Sequence, residues 1–391
     1  MSYLIFCSFE VGGFPFRMAE TLNQYGVETF YIFLGRKRSD HDSAQFHYGS
    51  RVEEWDLSDM FRNGLYNSGE LVALLSQIKT KHNISHCLAT GTNAYLLKKA
   101  GINYKYWSYG ADLDERCFSQ IGVSGYSVWR SLYLLFMDRP KARKSIYQSD
   151  SVMIAPYQIE ALERICPKKK KFFLPHFFRI VDYSTLLQQK SGNKRMICNR
   201  IQAQRFFFSS VRHVWTGHLR DTTNNKGNDV VLHSYALYLK LTSDFDSKLV
   251  LVKKGPDVES SILLAQGLGV NNNIVWVDEM KREELDKYYQ GAAICFGQFG
   301  TPVVTYAALE PLANGSVSIS LLNENNSKVP FYKESPPIFD SKDPKEIADF
   351  IVRVLSGEGN SGDLSHKSWL WIKNHCTEEK FVECFLELFE E

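Results

Sequence analysis

Short apolar runs alternate with stretches of helical spacing along most of the chain, and the alternation occurs in both halves. In the first half, residues 3–8, 27–33, 86–89, 104–108 and 151–155 read as buried strands, rich in aliphatic or aromatic side chains. Between them, residues 16–25, 71–82 and 157–165 have the apolar spacing of helices. The second half repeats the scheme. Residues 206–211, 248–252, 274–277, 292–296 and 317–320 read as strands. Residues 230–241, 258–268, 282–289, 305–314 and 344–355 read as helices, and Gly315 stands in the place of a C′ glycine. A last helical region covers 369–389, and 323–337 is loop-rich. Short strands alternating with helices predict an α/β protein with parallel, doubly wound sheets.

Length turns that pattern into two domains. At 391 residues the chain exceeds one ordinary core, so two domains of about 180 residues each are expected. A polar junction at 191–194 places the boundary near 175–195. The expected domains are 1–180 and 195–369, with a C-terminal helix at 370–391 packing back on the first. Apolar residues make up 44% and charged residues 23%, as in a folded globular protein, and the formal charge of +2 is too balanced for a nucleic-acid footprint. Eight cysteines are scattered without CxxC pairs, which fits reduced thiols better than a disulfide or zinc framework. The first residues carry no basic leader, and no apolar run approaches the ~18–20 residues of a membrane span. A cytoplasmic protein is expected.

The candidate chemistry centres on residues 206–229. The apolar run around Phe206–Phe208 ends at Arg212 and His213, a polar loop follows, and Lys226, Gly227, Asn228 and Asp229 open the next helix. Two fixed cations beside the free N–H groups of a helix start suit a diphosphate. The alternative is that Arg212 and Lys226 are ordinary surface charges. In the first half, Gly12 and Gly13 follow the first strand, either to let a ligand approach the backbone or as a plain tight turn. The strand at 104–108 runs into Tyr109, Asp112 and Asp114, where the acids either contact substrate or cap the next segment. Residues 126–144 combine apolar bulk (Trp129, Leu132, Leu134, Leu135, Phe136) with Arg130, Arg139, Lys141, Arg143 and Lys144. That composition suits either an interfacial segment on anionic lipid or, the favoured reading, a buried helix with a solvated basic end.

Four pieces in the second half occur in a fixed order: the strand running to Arg212, the Lys226–Asp229 helix start, the 249–256 strand and turn with Lys254, and the run Ala308, Leu309, Glu310, Pro311, Leu312, Ala313, Asn314, Gly315. In these the chain resembles glycosyltransferase family 4, over about 110 residues. The resemblance implies the GT-B fold, two Rossmann-like doubly wound domains facing a central cleft. It further implies a retaining glycosyltransferase that uses a nucleotide-diphosphate sugar, with no metal, no other cofactor and no dedicated nucleophile. Arg212 and Lys226 would stabilise the departing diphosphate, and Glu310 would hold the ribose. Lys254, Asp278, Glu279 and Met280 lie where the nucleotide binds, and Gln298, Gly300 and Thr301 where the sugar binds. Tyr109 and Asp112, beside Gly12 and Gly13, would receive a glycan or lipid-linked acceptor, as in bacterial surface polysaccharide synthesis. Contact with the inner membrane face would run through 126–144.

Two departures stand out. Pro302 occupies the place of the family's first glutamate, and residues 215–225 lengthen the gap between Arg212 and Lys226. His213 reads as a supporting hydrogen-bond donor, not a ligand. Two other functions remain open: a catalytically silent nucleotide-sugar or glycan-binding module, and a sugar-nucleotide epimerase.

Overall fold

The computed structural model of the chain describes residues 1–8, 13–34, 54–56, 68–108, 113, 116–118, 128–155, 158–217, 225–322, 332, 334–358 and 361–390. The chain divides into two compact units, Met1–Leu174 with Phe381–Glu391, and Pro175–Lys380. The second unit begins at Pro175, at the lower end of the expected boundary range. The expected polar junction at 191–194 lies inside one helix, Tyr183–Ile201, whose N-terminus is capped by Asp182 accepting from the Thr185 amide at 2.9 Å. That helix buries only Leu186, Ile197 and Cys198, so its apolar stripe is too sparse to register as periodic.

The first unit holds a seven-stranded sheet built from β1 Ser2–Cys7, β2 Thr29–Phe33, β3 Glu54–Asp56, β4 Ile84–Thr90, β5 Lys105–Trp107, β6 Ser151–Met153 and β7 Lys170–Phe172. The order is β3-β2-β1-β4-β5-β6-β7, and every pairing is parallel. Lys170–Phe172, outside the strands read from the apolar pattern, supply the edge strand β7. Its two lysines suit an unpaired edge. The helical region expected at 369–389 is two helices, Ser361–His375 and Glu378–Glu390. From the second, Phe385 and Phe389 lie against Tyr3, each at 5.5 Å between ring centroids. The first belongs to the other unit, where Trp371 and Ile372 share a core with Phe178 and Leu309.

The second unit holds a six-stranded parallel sheet of β8 Arg205–Ser209, β9 Ser247–Val252, β10 Ile274–Val277, β11 Ile294–Phe296, β12 Ser318–Ser320 and β13 Ile338–Asp340, in the order β10-β9-β8-β11-β12-β13. Sheets of this kind are covered on both faces, and β8 shows the consequence. Phe207 packs into the layer with Val231, Leu232 and Tyr235, whereas Phe206 and Phe208 enter the opposite layer with Ile197, Tyr288 and Tyr289. Each sheet reverses its winding once, between β1 and β4 in the first and between β8 and β11 in the second. Ligands of open α/β sheets bind outside the carboxyl ends of the strands at that reversal. In the second unit the crevice falls where β8 runs out toward Arg212 and β11 toward Gln298.

Candidate functional site

The strand β8 stops at Ser209, three residues short of Arg212, so Arg212 sits in the connecting loop. That loop is tightly held. Asn228, the first residue of the helix Asn228–Thr242, donates its side-chain amide to the Val211 carbonyl at 3.3 Å and accepts from the Val214 amide at 3.1 Å. One buried amide thus bridges the backbone on both sides of Arg212. From the other flank, the His213 amide donates to the Lys254 carbonyl at 2.6 Å. The Asp257 carboxylate accepts from the amides of Trp215 and Thr216 at 2.6 and 3.0 Å, anchoring the start of the lengthened loop. The Arg212 side chain itself is exposed.

Lys226 reaches the same crevice. Its amide donates to the Val214 carbonyl at 2.6 Å, and its carbonyl accepts from the Phe299 amide at 2.9 Å, so the chain before the helix is tied to the loop after β11. The ammonium donates to Gln298 Oε1 at 3.0 Å. Gln298 is 4% exposed and turns its Nε2 to the Thr301 carbonyl at 3.2 Å. Both ends of this amide are engaged, its oxygen by the Lys226 ammonium and its nitrogen by the Thr301 carbonyl. The approach of the two loops depends on glycine. Gly227 has φ +64°, and a Cβ there would lie 2.7 Å from the Phe299 Cβ; a Cβ on Gly300 would lie 2.2 Å from the Asn225 carbonyl oxygen. The structure therefore brings Lys226, Gln298, Gly300 and Thr301 together, with Arg212 across the Asn228 bridge.

Glu310 lies on the helix Tyr306–Ala313 after β11, with its side chain only 14% exposed. Arg282 donates to its Oε1, and the Tyr289 hydroxyl donates to its Oε2 at 2.7 Å. Arg282 also pairs with Asp286 at 3.0 Å, and Tyr289 is 2.6 Å from the hydroxyl of Ser210, just beyond β8. Burial opposes the charge of Arg282, but the Glu310 and Asp286 carboxylates hold its pKa above the ordinary value. Burial, reinforced by Glu310, pushes the Tyr289 phenol well above its usual value. The carboxylate is thus fixed by one cation and one neutral donor, with further lone pairs left to accept hydrogen bonds.

Lys254 and Glu279 are joined to each other at 2.5 Å, and Met280, partly buried, packs against the core layer of Phe206, Phe208 and Tyr288. Gly13, in the first unit, has φ +72° and caps the helix Phe14–Gln24. Gly12, Tyr109 and Asp112 lie outside the described residues. Among the described residues no group of three or more His, Cys, Asp or Glu is placed to hold a metal ion, and no helix is long and apolar enough to cross a membrane.

His213 is buried behind the site, its Nδ1 2.8 Å from the Ser261 hydroxyl and its ring 5.3 Å from that of Trp276. Burial lowers its pKa from 6.5 to about 4, against weaker opposing pulls from Asp257 and the Val252 carbonyl. Between those values the unfolded chain binds the extra proton. The stability His213 contributes is therefore complete above pH 6.5 and lost as pH falls toward 4. The amount is about 3 kcal/mol by the usual free energy per pKa unit. Melting curves recorded from neutral to acidic pH check this: His213→Asn should fall less steeply than the parent. His176, half-buried and also lowered to about 4 by desolvation, retains part of the slope. An unchanged slope in His213→Asn would remove His213 from the account.

Asn228 apart, the residues that hold this site carried no signal in the sequence. Asp257, Ser261, Arg282 and Tyr289 each act on partners at least twenty residues away.

No protein-family model and no curated protein sequence matches the chain. Solved structures do. HepE of Anabaena, in complex with UDP and glucose, superposes with a TM-score of 0.69 at 11% identity, covering 100% of this chain and 99% of that one. A glycosyltransferase from Rickettsia africae gives 0.64 at 12% identity, with 100% and 97% covered. S. aureus TarM, in complex with fondaparinux, alpha-GlcNAc-glycerol and UDP, gives 0.64 at 8% identity, with 100% and 99% covered. The two parallel, doubly wound sheets of this chain are those of the GT-B glycosyltransferase fold, two Rossmann-like domains in one polypeptide.

Proposed function

We propose that the chain is a glycosyltransferase that takes a nucleotide-diphosphate sugar as donor and passes the sugar, with retention, to a glycan or a lipid-linked acceptor in surface polysaccharide or glycoconjugate synthesis. The observation that carries this reading is the Lys226 ammonium held by the neutral amide of Gln298 at the strand-order reversal, beside a helix N-terminus. The Gln298 amide orients the ammonium through a neutral oxygen. As the bond between sugar and diphosphate breaks, the leaving oxygen gains negative charge, which Lys226 and Arg212 would stabilise together with the Asn228–Thr242 helix start. The attacking acceptor hydroxyl passes its proton to the leaving diphosphate oxygen as the new glycosidic bond forms. Glu310, oriented by Arg282 and Tyr289, would accept from ribose hydroxyls through its remaining lone pairs, and residues 278–280 would flank the base. In this reading the two cations take the place of a metal.

A second reading has its own support. Pro302 stands where the resembled family has a glutamate, and Glu310 already has two partners; both features also fit a silent binding module. Incubation with a panel of nucleotide sugars, UDP-linked ones first because the HepE and TarM structures contain UDP, separates the possibilities. A transferase slowly releases free nucleoside diphosphate even with chelator present. A binding module only raises its melting temperature with ligand, and an epimerase alters the sugar while it stays attached. Release of diphosphate from none of the panel would sink the transferase reading.

A further inference from the structure

The two helices that bring Glu310 and its partners together, Arg282–Gly291 and Tyr306–Ala313, are also stitched at their carboxyl ends. Gln290 Nε2 donates to Asn314 Oδ1 at 3.1 Å, and Asn314 Nδ2 donates to Asp286 Oδ1 and to the Glu310 carbonyl, each at 3.1 Å. The second helix closes on Gly315, at φ +62°, whose amide donates to the Leu312 carbonyl while the Ser316 amide reaches back to Pro311 at 2.8 Å. A turn of that kind satisfies the last carbonyls of the helix and leaves the Gly315 carbonyl for a donor from elsewhere. The helix Tyr183–Ile201 supplies it. Lys190 donates to the Gly315 carbonyl at 2.6 Å and to the Ser316 hydroxyl at 2.9 Å, and that hydroxyl donates in turn to the Tyr289 carbonyl at 2.6 Å. One turn further along, Asn193 donates to Gln290 Oε1 at 2.6 Å.

Lys190 therefore stands between the carbonyl ends of two helices, where the partial negative charges of both macrodipoles favour a cation. The oxygens that hold it, a carbonyl and a hydroxyl, are neutral. Desolvation lowers its pKa to about 8, so the ammonium is still charged at neutral pH. A charge placed in such surroundings is costly, and filling the space alone would be better served by an apolar side chain. What the ammonium adds is a fixed anchor with two routes to one carboxylate. The first runs along the backbone from Gly315 to Glu310. The second runs through Ser316 to Tyr289, whose hydroxyl donates to Glu310 Oε2 at 2.7 Å.

We infer that Lys190 is a positioning residue for Glu310, setting both the helix end behind that carboxylate and the tyrosine that holds its Oε2. Its consequence for substrate rests on the reading of Glu310 as the ribose ligand, and the experiment separates the two. Binding of UDP and of its dideoxy analogue, which lacks both ribose hydroxyls, is measured by calorimetry on the full-length protein. The parent should prefer UDP, and Lys190→Met should cut that preference at least about tenfold, the worth of a hydrogen bond to a charged group. Ser316→Ala, which breaks only the link to Tyr289, should cut it less and carries the test if Lys190→Met does not fold. Val354→Ala, a core truncation in the opposite layer, should lower the melting temperature and leave the preference at the parent's value. A cycle of the same variant with Glu310→Gln, read on melting temperature without nucleotide, gives the second measurement. The two side chains have different partners, yet their losses should fall short of the sum. Additive losses, a parental preference that the variant keeps, or one that Val354→Ala loses equally, overturn the inference. A parent that binds both nucleotides alike while the cycle stays coupled overturns the ribose reading instead, and leaves the hold of Lys190 on Glu310 in place.

Discussion

Lys226→Ala should lose about a hundredfold or more of its donor turnover, the usual cost of removing one preorganised charge donor from a developing anion. The panel above selects the donor to be used. Folding should survive, because the backbone ties of Lys226, its amide to Val214 and its carbonyl to Phe299, do not involve the side chain. Arg212→Ala should cost a similar factor, and because its side chain is exposed the substitution should leave folding intact. Gln298→Ala offers a finer test of the same geometry. It removes only the orientation of Lys226, so it should lower turnover less than Lys226→Ala while leaving the cation in place. Donor turnover that survives unchanged in both Lys226→Ala and Arg212→Ala, each with a parent-like melting temperature, would remove the diphosphate from this crevice.

Arg282→Met should destabilise the second unit by roughly 3–5 kcal/mol, the cost of leaving a buried carboxylate without its cation. The pair is well shielded, with side-chain exposures of 13% for Arg282 and 14% for Glu310. For a unit of this size the corresponding drop in melting temperature is on the order of 10 °C. Glu310→Gln in the Arg282→Met background should recover part of it, because the amide carries no charge to be stranded. A double-mutant cycle on melting temperature isolates the coupling. If Arg282→Met melts like the parent, Glu310 is not held as described, and its assignment to the ribose loses its physical basis.

Some of this architecture was legible before any coordinates, and the reason is local. Phe206, Phe207 and Phe208 announce a strand because both faces of that strand are buried, and a continuous apolar run can serve no other element of that length. Lys226 and Gly227 before Asn228 announce a helix start because capping is a short-range matter. What stayed hidden was non-local or disguised by charge. Lys170 and Lys171 sit on an edge strand, where lysine is tolerated and therefore reads as loop. The 183–201 helix rests on three buried residues in nineteen. Glu310 stood out in its own run of sequence, but its partners lie 21 and 28 residues earlier, on another helix. Residues 128–148 posed a different difficulty, since Leu134, Ala142 and Ile146 are buried while Trp129 and Phe136 are exposed. Periodicity says that a stripe of apolar residues exists, and it is silent on whether that stripe faces a core or solvent.

The placement of Phe385 and Phe389 against Tyr3 bears on the order in which the chain becomes native during synthesis. The ring of Phe389 also lies 5.1 Å from His86, so the helix Glu378–Glu390 packs against both β1 and β4. The ribosome releases residues 1–174 first, yet their sheet keeps a naked patch until residues 381–390 emerge. By then the whole of the other unit has been made. The first unit's sheet is thus completed only after residues 175–380 have been made, and Tyr3 and His86 wait until then for the rings that cover them.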